Sequence, residues 1–125
     1  MIVGVGLDVV ETAQIERLLA GHGARFAERV FTEAERRACS GRVDAAQAFA
    51  ARFAAKEACF KALGIGFGYG MSFLHVEVVR ANGGQPELRL TGPAAARAEE
   101  RGVRRIHVSL SHQPGIAAAT VILEG

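Results

Sequence analysis

Tryptophan is absent from this chain of 125 residues and tyrosine occurs once, a composition that disfavours a base-stacking module. A basic run is missing too: the net charge is only +2 and the arginines are dispersed, which disfavours a nucleic-acid module. Cysteine is scarce. Cys39 and Cys59 match neither a zinc knuckle nor a CxxC redox pair, and both read as reduced packing residues. Apolar runs such as Met1 to Val5 are interrupted by glycine and aspartate long before the roughly 20 residues that span a bilayer. No charged start precedes a long apolar stretch, so neither a membrane span nor a secretory signal is expected, and the expected compartment is the cytoplasm.

Lysine is the sharpest shortage. Thirteen of the fifteen basic residues are arginine, and the two lysines, Lys56 and Lys61, fall within six residues of each other. Either this is chance, or lysine is kept where a compact, hydrated ammonium is needed, as at a phosphate.

What the chain does contain is a globular balance, half apolar and 22% charged, at a length that suits one domain over residues 1–125. Residues 2–10, IVGVGLDVV, have the β-branched character of a buried strand and carry one carboxylate, Asp8. Glu11 to Leu19 reads as a helix ended by Gly21 and Gly23, with Ile15, Leu18 and Leu19 on one face. Thr32 and Glu35 form a capping-box pattern for a short helix reaching about Cys39, with Phe31 placed as a hydrophobic staple.

Ala45 to Leu63 contains neither glycine nor proline. With Asp44 as N-cap and Gly64 as stop, it predicts a helix about 28 Å long, with Phe49, Phe53, Phe60 and Leu63 on one face. Leu74–Arg80 and Glu87–Thr91, around an Asn82-Gly83 turn, predict a hairpin. A helix from Pro93 to Arg101 follows, then strands at 106–110 and 116–123 around Pro114-Gly115. The order is βαααββαββ. It implies an α+β domain in which strands adjacent in sequence pair antiparallel, with the long helix packed on one face.

Few of these residues could carry chemistry. An aspartate within an apolar strand must be charged beside a partner, neutralised, or at the strand's open end, where capping the following helix is the alternative for Asp8. Glu57 and Lys61 stand at i and i+4, a spacing common on solvated faces; Glu57, however, lies about 60° from Phe60, at the edge of the buried stripe. Two carboxylates from different elements with a nearby lysine suit magnesium and phosphoryl transfer. Arg52 and Lys56 are an i,i+4 pair of cations, to be satisfied by a phosphate between them or by reaching water. GIGFGYG at 64–70 could bring backbone N–H groups to a ligand but lacks a P-loop ending, and Gly4-Val5-Gly6 lacks the third glycine of a dinucleotide fingerprint. His112 stands where a strand runs into a turn. His75 and His107 read as packing or surface residues, and His22 as exposed beside glycines.

GVGLD at 4–8, ARFAAKEACFKALG at 51–64 and HVSLSH at 107–112, with FTEAE at 31–35 and a turn ending in Gln85-Pro86, together resemble the bacterial holo-acyl-carrier-protein synthase family of phosphopantetheinyl transferases. The resemblance implies transfer of the phosphopantetheine arm of coenzyme A to an acyl carrier protein in fatty acid biosynthesis. It implies that Asp8 and Glu57 hold magnesium, that Lys61 neutralises the transferred phosphate, and that these three form the catalytic set. Arg52 and His112, with Gly64, Gly66 and Pro86, would contact coenzyme A. A homotrimer with sites at subunit interfaces is implied as well. One position departs from the family pattern: Gln14 stands where an arginine that meets the carrier protein is common, with Arg17 one turn on as a substitute.

Overall fold

The computed structural model of the chain describes residues 1–65, 70–80 and 84–125, with backbone alone at 22 and 23. The His22 side chain, Gly66 and the Asn82-Gly83 turn lie outside them.

The elements follow the expected order: β1 (Ile2–Glu11), α1 (Thr12–Val30), α2 (Glu33–Cys39), α3 (Ala45–Leu63), a 3-10 turn (Phe73–His75), β2 (Val76–Arg80), β3 (Pro86–Leu90), α4 (Gly92–Glu100), β4 (Arg105–Gln113) and β5 (Ile116–Glu124). Two antiparallel sheets result, β1-β5-β4 and β2-β3. The two hairpins pair as adjacent strands should. β1 does not: it pairs with β5, the last strand, so that Met1 and Gly125 exchange backbone hydrogen bonds.

α3 is the centre of the fold. Its 13 buried residues out of 19 leave only a narrow strip with Glu57 and Lys61 open to solvent, which corrects the expectation of a single buried stripe and marks a helix covered on several sides. Alanines at 50, 51, 54, 55, 58 and 62 keep its surface low enough for the inward row of β5, Ala117, Ala119, Val121 and Leu123, to close on the same core. Gly64 ends it in the left-handed conformation, φ 72°, as its position predicts.

Three local expectations are corrected. α1 runs on past Gly21 to Val30, because Leu18, Leu19, Phe26 and Val30 continue its buried face and outweigh the helix cost of glycine. Asp44 makes no side-chain cap on α3; its carboxylate is held instead by Arg42 through two bonds of 2.8 and 2.9 Å. The capping box of α2 forms in both halves, but Phe31 packs with Phe26 and Phe49 rather than stapling that helix.

Candidate active site

The first strand reaches the central helix because two of its residues have no side chain. Alternation turns Gly4, Gly6, Asp8 and Val10 inward, and a Cβ at Gly4 or Gly6 would come within 2.2 Å of Ala62 O or 1.8 Å of Ala58 O. β1 therefore lies backbone to backbone on α3. This explains the Gly-x-Gly spacing that fits no nucleotide fingerprint.

Asp8 is the next inward residue, and the same close approach delivers its carboxylate to the last turns of α3. Lys61 Nζ donates to Asp8 Oδ1 and to Leu7 O, both at 3.0 Å. Asp8 does not cap α1, whose N-cap is Glu11 without a side-chain bond. The Asp8 side chain is 11% exposed and that of Lys61 55%. Glu57, half-buried one turn earlier on α3, completes the cluster. Burial first, and then the negative charge of Asp8, push its carboxyl above the usual range, against the pull of Lys61.

Two carboxylates that repel each other, with one lysine bonded to a single carboxylate oxygen, make a donor set for a hard divalent ion. Such an ion takes one or two protein carboxylates and keeps water or phosphate on its other positions. Among the described residues no group of three or more His, Cys, Asp or Glu gathers, so a closed all-protein cage is not what these side chains build.

A second feature lies on another face of α3. A cavity of about 330 Å³ is lined by Arg42, Arg52, Arg80, Pro86 and His112, together with small residues of α3 and the end of β4. Arg52 is 3% exposed; its Nη1 donates only a long bond, 3.4 Å, to Ala48 O, and its buried Nε has no partner among the described residues. A buried guanidinium so poorly satisfied fits an anion. His112 is exposed and meets Gln47 Oε1 at 3.0 Å through Nδ1. Glu57 and Lys61 do not line this cavity, and five residues of helix turn Arg52 about 140° from Glu57.

Of the residues singled out from sequence, Asp8, Glu57 and Lys61 come together, and Arg52, His112 and Pro86 come together elsewhere. Gly64 uses its N–H to close α3 onto Lys61 O, 3.1 Å. Lys56 is the clear correction. It does not share a phosphate with Arg52 but is fully buried, 2.7 Å from Glu35 Oε1, donating also to Phe73 O and Val76 O. Sequence reasoning misses Arg42 and Arg80 at the cavity; the signal for Arg80 is its place as the last strand residue before the turn, where it pairs with Pro86.

Comparison with known proteins points one way. Residues 4–120 match the family model described as the 4'-phosphopantetheinyl transferase superfamily. A holo-acyl-carrier-protein synthase from Anaeromyxobacter dehalogenans is 53% identical, the match covering 100% of this chain and 98% of that protein. The crystal structure of the corresponding synthase from Neisseria meningitidis superimposes with a TM-score of 0.88 at 35% identity, over 100% of both chains. That of Helicobacter pylori, solved in complex with coenzyme A, gives 0.84 at 29% identity over 96% of this chain and 99% of its own.

Proposed function

The chain belongs to the 4'-phosphopantetheinyl transferase superfamily, and on that premise we propose that it moves the 4'-phosphopantetheine arm of coenzyme A onto a serine of an apo acyl carrier protein, releasing adenosine 3',5'-bisphosphate. The observation that carries this reading is the meeting of Asp8, Glu57 and Lys61 where β1 lies directly on α3.

In the reaction, the serine oxygen bonds to the phosphorus that carries the pantetheine, and the bond from that phosphorus to the nucleotide oxygen breaks. Such transfers ask the protein for position and charge more than for covalent work. Glu57 takes the serine proton, as the half-buried carboxylate of the cluster. Lys61, with more than half of its side chain in solvent, reaches a phosphate oxygen while keeping Asp8 in place. Magnesium bound by Asp8 and Glu57 would supply neutralisation of the pyrophosphate charge.

Arg52, His112 and Pro86 are assigned to the nucleotide, with Arg42 and Arg80 beside them, because an under-satisfied buried guanidinium favours phosphate. Gly64 would serve as a surface without a Cβ, its N–H being engaged; Gly66 is assigned by resemblance alone.

Since the acidic cluster and the arginine cavity lie on different faces of α3, one copy's cluster would be completed by a neighbour's cavity. Val5, Leu7 and Val9, 56 to 60% exposed in a row on the outer face of β1, give such a neighbour an apolar seat. A homotrimer with its sites between subunits is therefore part of the proposal. So is carrier docking on α1, where Gln14 and Arg17 are both exposed. The setting proposed is fatty acid biosynthesis in the cytoplasm; no described helix is long and apolar enough to cross a membrane.

The test is to incubate the protein with coenzyme A, magnesium and an apo carrier protein, and to weigh the carrier by mass spectrometry. A carrier heavier by one phosphopantetheine arm is expected, and none when Glu57→Ala replaces the wild type. An unchanged carrier mass with the wild type would overturn the reading.

A further inference from the structure

Lys56 is buried, charged and unused by the chemistry above, and it lies next in sequence to Glu57. Its surroundings give it a different task. Nζ is 2.7 Å from Glu35 Oε1 and donates to Val76 O at 2.6 Å and Phe73 O at 3.0 Å, beneath the ring of Phe31 at 5.7 Å. Glu35 in turn accepts from Val78 N–H through Oε2 at 2.8 Å and from Thr32 N–H through Oε1 at 2.9 Å. Thr32 Oγ1 donates to Glu77 Oε2 at 2.6 Å. Together these bonds tie α2 and α3 to β2 and its approach.

The tie matters because of how the sheets are divided. β2 and β3 form a sheet of two strands, with no ladder to β1, β5 or β4 among the described residues. Apolar packing of Val76, Val78, Leu88 and Leu90 holds that hairpin to the core, and β3 runs close to β4, but such packing is non-directional and sets no register along α3. Charge-assisted hydrogen bonds to the backbone at Val76 and Val78 fix the register instead. Two residues beyond Val78 is Arg80, and opposite it is Pro86, the hairpin's contribution to the arginine cavity; Arg52 comes from α3 itself.

We propose that Glu35 and Lys56 are positioning residues for the coenzyme: their buried pair sets the hairpin wall of the cavity, Arg80 and Pro86, against the helix wall that carries Arg52. Buried ion pairs add little net stability over apolar replacements but can specify one arrangement among several. The proposal rests on the assignment of this cavity to the nucleotide, and the experiment separates the two.

E35Q/K56M removes both charges together while leaving an amide oxygen at position 35 that can still cap α2. With the folded variant, the KM for coenzyme A is expected to rise at least tenfold, kcat at saturating coenzyme to fall less than threefold, and the KM for carrier protein to stay within twofold. Hydrogen exchange at residues 76–80 is expected to quicken at least tenfold, with α3 unchanged, which general destabilisation would not produce. An unchanged KM for coenzyme A, or unchanged exchange in β2, would overturn the positioning role. If wild-type protein transferred no arm, the proposed function would fall while the exchange result still decided whether the pair fixes the hairpin. Should E35Q/K56M not fold, E77A loosens the same hairpin more gently, and a KM for coenzyme A raised two- to fivefold is expected; no rise would count against the proposal.

Discussion

Lys56 and Lys61 stand five residues apart on α3, and each meets one carboxylate across the protein, yet their surroundings share little. The Lys56–Glu35 pair has no exposed side-chain surface on either partner, whereas Lys61 keeps 55% of its side chain in water beside Asp8. Burial pulls the Lys56 ammonium below its usual range, against the pull of Glu35, and every donor it has is committed inside the fold. The same chemical group thus serves architecture at one position and remains available to a substrate at the other. Water access decides which.

That contrast sets the order of expected effects. Lys56→Ala leaves Glu35 charged, buried and without its ion-pair partner, and should cost about 3–5 kcal/mol, read as a fall in the thermal midpoint of roughly 10 °C or more. If the midpoint barely moved, the buried pair would not hold the fold as described. Gly6→Ala comes next, because its methyl must push backbone off backbone where Ala58 O lies 1.8 Å from the added carbon. A loss of about 1–3 kcal/mol is expected, and with it most of the activity, since Asp8 moves with the strand.

Lys61→Ala reverses the pattern. Its partner Asp8 is mostly buried, but the ammonium is screened by solvent, so stability should change by less than about 1 kcal/mol while turnover falls about a hundredfold or more. A stability loss matching that of Lys56→Ala would erase the distinction between the two lysines. The smallest effect is expected at Cys59 on the same helix, where burial raises the thiol pKa to about 12. Native protein should resist alkylation there at pH 8, and Lys56→Ala should speed the labelling by loosening the surrounding core.

Much of this architecture is legible in the residues alone. The bounds of α3 can be read to the residue, because a stretch free of glycine and proline between Asp44 and Gly64 leaves few other outcomes. The capping box of α2 is legible because it is a contact between residues three apart. α1 reads as ending near Gly21, since its far half is helical only through packing that local propensity does not contain. The candidate site is half legible: Asp8 is conspicuous as the one carboxylate in an apolar strand, and Glu57 and Lys61 as a pair with an unusual edge position. Lys56 is hidden from sequence for a physical reason, because its partner Glu35 is 21 residues away and already accounted for as a helix cap.

By itself, then, the sequence determined most of the segments that become helix and strand, the half of α1 beyond Gly21 excepted, where the acids and lysines fall along them, and which family pattern they match. Tertiary structure alone decided that β1 pairs with β5, that two glycines let it touch α3, and that one lysine is sealed while the other is open. Local preferences act over a few neighbouring residues. Burial and charge pairing depend on what the closed chain brings alongside.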